Sequence, residues 1–124
     1  MQVSSQIEKF AKAIARAEGF GIPDAIPTRA HNPGDLVIPG STNRIGEGIT
    51  VFDSDEDGWN ALYHELGLIA IGHSHVYSPS MTILDMAEKW TATVSQQAGW
   101  AANVAGYLGV PVNTTLQDIF TAIP

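Results

Sequence analysis

The stretch IARAEGFGIPDAIPTRAHNPGDL, residues 14–36, decides how the rest of the chain is read. The helix leading into it places Ile7, Ala11 and Ile14 on one face, at steps of four and three. The next position in that series is Glu18, a carboxylate where an apolar stripe calls for a hydrophobe. Gly19 then ends the helix as a left-handed stop. Beyond it the chain changes character. Four prolines (Pro23, Pro27, Pro33, Pro39) and many glycines between 19 and 48 predict loops or short hairpins and no helix.

Working outward, Ser5 and Glu8 have capping-box spacing and predict the start of the first helix, which runs to about Glu18. GITVF, residues 48–52, is the one convincing strand, short and β-branched, and belongs in a small sheet. Ser54 caps a second helix, with Asp55, Glu56 and Asp57 near its positive end. Trp59, Leu62, Leu66, Ile69 and Ala70 line its buried side and Gly72 ends it. HSHVYSPS reads as a loop. Thr82 with Asp85 caps a third helix carrying Ile83, Met86, Ala87 and Trp90. A fourth runs from about Gln97 to Leu108, burying Trp100, Val104 and Leu108 before Gly109. Thr114 with Gln117 caps a short last helix through Ile119 and Phe120. The expectation is a mainly α (α+β) single domain over 1–124, about five helices with a small β-hairpin or sheet between the first and second.

Bulk properties agree with this and exclude several functions. The 124 residues suffice for one domain with a real core, and 44% hydrophobic against 15% charged suits a globular protein. Without cysteine, neither a disulfide nor a thiolate metal site can form. Six basic residues scattered among thirteen acidic ones, net charge −7, argue against nucleic acid and against a polybasic membrane anchor. No apolar run approaches the ~20 residues needed to cross a bilayer. The N-terminus lacks the basic flank and apolar stretch of a secretory signal, so the chain is expected to start at its mature fold.

Three local effects act on Glu18. The unpaired carbonyls of a helix end disfavour negative charge by roughly 0.3–1 kcal/mol. Its helical neighbours Ile14 and Ala15 offer no hydrogen bonds, and its stripe faces the interior, where desolvation disfavours ionisation. A carboxyl so placed holds its proton near neutral pH, as a general acid must. The competing reading is a side chain that bends from a frayed helix end into solvent, the usual habit of glutamate.

ARAEGF, then RAHNPGDL at 29–36, then ITVFDSDEDGWNAL at 49–62, resembles a lysozyme-like group found in bacteria and phages. Its members show a Glu-Gly helix end, an Arg-x-x-Asn-Pro-Gly-Asn-Leu segment, and a strand ending in Phe before a Gly-x-x-Ala-Leu helix. MTILDMAEKWT and NVAGYLGV are similar to later pieces of the pattern, so the resemblance spans nearly the whole chain. The group is similar to goose-type lysozymes and soluble lytic transglycosylases, which cleave peptidoglycan glycan strands. The resemblance implies that Glu18 is the catalytic acid, since it alone occupies the helix-ending position.

Cleaving a β-1,4 bond between N-acetylmuramic acid and N-acetylglucosamine requires a proton for the leaving oxygen as an oxocarbenium-like sugar develops. A hydrolase of the usual kind adds a second carboxylate, with Asp35, Glu47, Asp53 and Asp55 as candidates; a lytic transglycosylase needs none. Asp35 departs from the pattern, which more often has Asn there. In the cleft it would raise the Glu18 pKa and position a water; pointing outward it is a turn residue after Pro-Gly. Arg29 is expected either to orient substrate or to brace its loop. Asn32 fits a turn before Pro33 and can also hydrogen-bond a sugar N-acetyl group. Thr50, opposite Val51 on the strand, is a candidate for the cleft floor. Trp90 and Tyr107 are candidates for stacking on sugar faces, with core packing as the other reading. His64, His73 and His75 supply three imidazoles, but no HExxH pattern exists and no metal or other cofactor is expected.

Two functions therefore stand: a peptidoglycan-cleaving enzyme, acting at the cell wall from the periplasm, from outside or delivered by a phage, and a non-catalytic lysozyme-like glycan-binding or phage structural module. Chitin-like glycans share the bond and the N-acetyl group. A monomer is expected.

Overall fold

The computed structural model describes residues 4–91 and 93–122; the expected domain limits at 1 and 124 lie outside them. Along the chain come α1 (Ser5–Glu18), α2 (Ile26–Arg29), β1 (Arg44–Ile45), β2 (Ile49–Thr50), α3 (Asp55–Ala70), α4 (Ile83–Trp90), α5 (Val94–Leu108) and α6 (Leu116–Thr121). The protein is mainly helical with one small antiparallel sheet, in which Arg44 faces Thr50 and Ile45 faces Ile49.

Helix ends follow their side chains. Ser4, one residue earlier than expected, is the N-cap of α1 and accepts from the Ile7 N–H, so Ser5 is the first helical residue. Gly19 ends α1 at φ 87°, and the Phe20 and Gly19 N–H groups return to the Ala15 and Arg16 carbonyls. Ser54 caps α3, and Thr82 with Asp85 forms a complete capping box on α4. Thr115, not Thr114, caps α6 through the Asp118 N–H. α5 begins at Val94, three residues before the expected start, although Thr93 makes no side-chain cap bond. The one-turn α2 corrects the reading of 19–48 as free of helix: Pro27 sits in its first turn, where a missing N–H costs nothing.

The core lies where α1 packs on α5 and α3, and α4 on α5. Phe10, Ile14, Leu62, Leu66, Ile69, Met86 and Val104 are fully buried or nearly so, and Phe10 meets Phe120 at 5.5 Å between ring centres. Each such side chain contributes about 1.5–3 kcal/mol by leaving water.

Residues 30–52 wrap one end of this bundle and are held by polar bonds. The Asn32 side chain accepts from the Leu36 N–H at 2.9 Å and donates to the Leu36 and Thr50 carbonyls at 2.9 and 2.8 Å. The Thr50 hydroxyl takes the Ile38 N–H at 2.9 Å and pairs with the Ser41 hydroxyl at 2.9 Å. Arg44 donates to the carbonyls of Ser41, Gly48 and Ile38. The loop sits flat on α3 because Gly58 has no side chain: a Cβ there would overlap the His31 carbonyl and lie 2.8 Å from Pro33 Cδ. His31 Nδ1 lies 2.8 Å from Asp55 Oδ1, a further tie to the first turn of α3.

Candidate active site

Glu18 is the last residue of α1, half-buried against the loop after Gly34 and the facing ends of α4 and α5. With Asp35, Thr91, Gln96, Trp100 and Asn103 it lines a hollow of about 440 Å³. Asp35 also lines a second hollow of about 560 Å³ with Leu36, Ile38, Tyr77, Lys89 and Trp90. The two hollows adjoin at Asp35, and this pair is called the groove. A separate, mostly aliphatic hollow of about 410 Å³ beside α6 contains neither Glu18 nor Asp35.

Burial pushes the Glu18 carboxyl up from 4.5 to about 8, the Asp35 charge raises it further within that value, and the Trp90 N–H pulls slightly the other way. The Trp90 indole itself donates to the Gly34 carbonyl at 3.1 Å, which fixes its ring at the groove wall. That ring stacks on Trp100 at 6.0 Å and tilts against Tyr77 at 5.6 Å. Burial also raises Asp35 above its ordinary 3.8. Both carboxyls are thus pushed toward their protonated forms by burial, and the Asp35 charge adds to the push on Glu18. The helix-end argument anticipated a raised Glu18, and of the two orientations open to Asp35 in the sequence, the fold takes the one facing the hollow.

Asp35 adopts a left-handed backbone, φ 54°, which Asp and Asn tolerate better than other side chains. Its Oδ1 is buried and meets no hydrogen-bond donor, and the Trp100 Nε1 in the same hollow is likewise buried without an acceptor. An unsatisfied buried polar atom costs about 1–3 kcal/mol, so two in one hollow mark it apart from the loop beside it.

No protein-family model, no curated protein and no solved structure matches the chain. The site rests on its own geometry.

Several expected substrate contacts lie elsewhere. Asn32 is 0% exposed with both ends of its amide bonded to backbone, so it cannot reach a sugar. Thr50 is 4% exposed and its hydroxyl is engaged by Ile38 and Ser41; it supports the groove from behind and does not floor it. Arg29 is exposed at the end of α2 and lines neither hollow, while the brace expected of a loop arginine is supplied by Arg44. Of the other acids, Asp55 pairs with His31, and Glu47 and Asp53 are exposed away from both hollows. Tyr107 is 40% exposed and stands one helical turn further along α5 than Asn103. His73 and His75 border the second hollow and His64 is exposed on α3; among the described residues no group of three or more His, Asp or Glu could hold a metal ion.

Gln96 and Asn103 escaped the sequence reading. Their spacing of seven places both amides on one exposed face of α5, a signal that was present but carried no distinguishing chemistry. Trp100 is buried as its helical spacing implied, yet it also walls the hollow.

Proposed function

We propose that this protein cleaves the β-1,4-linked glycan strands of peptidoglycan, with Glu18 as general acid. The carrying observation is a carboxyl held near pKa 8 by burial, at a helix end, in a groove shared with a second acid. The sequence resemblance to goose-type lysozymes and soluble lytic transglycosylases, and to the lysozyme-like fold they share, supports the same reading. A module that only binds glycan has no use for a proton retained at neutral pH.

The Glu18 proton passes to the bridging oxygen as the bond from C1 to that oxygen breaks. The oxocarbenium-like charge on the sugar is met by the Asp35 carboxylate in the same hollow. Water, or the substrate's own 6-hydroxyl, then attacks C1, and the attacking oxygen's proton returns to Glu18. The first outcome is hydrolysis and the second leaves a 1,6-anhydro end. Trp90 offers a half-buried ring face to a sugar, and Gln96 and Asn103 offer amides to its hydroxyl and N-acetyl groups. The protein works as a monomer at the cell wall, where its charge of −7 slows encounter with anionic wall polymers at low salt.

Zymography on purified peptidoglycan, comparing the native chain with Glu18→Gln, tests this. Clearing by the native chain alone is expected; clearing by both, or by neither, defeats the assignment. Mass spectrometry of the products then separates reducing ends from 1,6-anhydro ends.

A further inference from the structure

α1 carries three of the six basic residues, Lys9, Lys12 and Arg16, at spacings that put them on one face. Arg16 ends this stripe two residues before Glu18. Its guanidinium lies over the Tyr107 ring, 5.7 Å from the ring centre, and the pair lines a hollow of about 500 Å³ with Ala102, Asn103 and Gly106. Asn103 also lines the hollow that holds Glu18 and Asp35, so the Arg16 hollow adjoins that one at Asn103. The facing wall is electrically bare, since Val94–Leu108 contains no charged residue. Among the described residues the one ion pair is His31 with Asp55, so no carboxylate neutralises Arg16.

We infer that this hollow seats a carboxylate carried by the glycan strand, and so makes the enzyme select acid-bearing strands over neutral chitin-like ones. The inference rests on the function proposed above. A guanidinium offers a planar fork of donors that matches a carboxylate bidentately. Stacking on Tyr107 holds that fork in place, so less side-chain freedom is lost when the ligand arrives. Asn103 adds an amide donor beside it. On a chain of net charge −7, the basic face of α1 is a local reversal of sign that draws an anion to this hollow. The carboxylate can come from the lactyl group of a peptide-free muramic acid or from a stem peptide; a chitin strand has neither.

Binding is measured by calorimetry in the non-cleaving Glu18→Gln background, with and without Arg16→Gln. The probes are three tetrasaccharides: peptide-free muramyl-containing, the same with stem peptides, and chitotetraose. Loss of Arg16 is expected to weaken at least one muramyl ligand about five- to tenfold while leaving chitotetraose unchanged. Which muramyl ligand responds names the source of the carboxylate. Equal weakening of chitotetraose, no weakening of either muramyl ligand, or no measurable binding overturns the inference. Zymography of the native chain reports separately on catalysis. Carboxylate-dependent binding without clearing keeps the seat and discards the acid; clearing with indifference to Arg16 does the reverse.

Discussion

The loop over residues 30–52 and the groove beside it are built from similar polar residues used in opposite ways. In the loop, the Asn32 amide, the Thr50 hydroxyl and the Arg44 guanidinium all end on partners within the loop itself. In the groove, Asp35 Oδ1 and Trp100 Nε1 are buried without partners and Glu18 is held away from its ordinary ionisation. A buried polar group with every bond made specifies shape. One with bonds left over raises the free energy of the empty fold, and that surplus is available to chemistry. The contrast separates residues that hold the site from residues that act in it.

The sharpest way to break this contrast is to remove chemistry without touching architecture. Glu18→Gln should lower peptidoglycan cleavage by roughly 10²–10⁴-fold, the usual worth of a positioned acid, while circular dichroism and the unfolding transition show an intact fold. The reverse change is Asn32→Ala, which removes three bonds to the backbone and leaves the Leu36 N–H without its acceptor, and should cost about 2–4 kcal/mol of stability. Urea unfolding would read that loss, and an unchanged midpoint would mean that the amide does not hold the loop.

A subtler expectation concerns pH. Folding raises Glu18 from 4.5 to about 8, so between those values the native chain holds a proton that the unfolded chain has released. Stability from this group is complete below about 4.5 and is lost as pH climbs to about 8; Asp35, raised by burial, acts in the same direction. Glu18→Gln should therefore stabilise the protein by about 1–3 kcal/mol above pH 8 and by nothing near pH 4. Thermal melts of both proteins across this range would check it, and parallel curves would remove burial as the cause. The smallest effect is on rate: cleavage should fall about tenfold per pH unit only above pH 8, a decline seen in an initial-rate profile.

Helix boundaries were legible where a side chain or a left-handed glycine dictates them, as at Gly19, Ser54 and Thr82. They slipped by one where two capping residues stand together, Ser4 with Ser5 and Thr114 with Thr115. α2 was hidden because proline signals both a helix start and a loop, and β1 because two residues carry no period. Glu18 was conspicuous as a carboxylate out of step with its stripe. Asn32 and Thr50 misled because residue type states what a side chain can bond, not whether its bonds are already made. Asp35 was legible as a candidate, but its orientation was not: seventeen positions separate it from Glu18, and the packing of the loop on Gly58 decides that it faces the hollow and not solvent.

The left-handed turn at position 35 has an evolutionary consequence. A backbone with φ 54° accepts aspartate and asparagine with little distinction, so exchanging one oxygen for an amide nitrogen leaves the main chain where it is. A lineage can thus add or delete its second acid by a single conservative replacement, moving between one-carboxylate and two-carboxylate reaction schemes while the surrounding scaffold stays put.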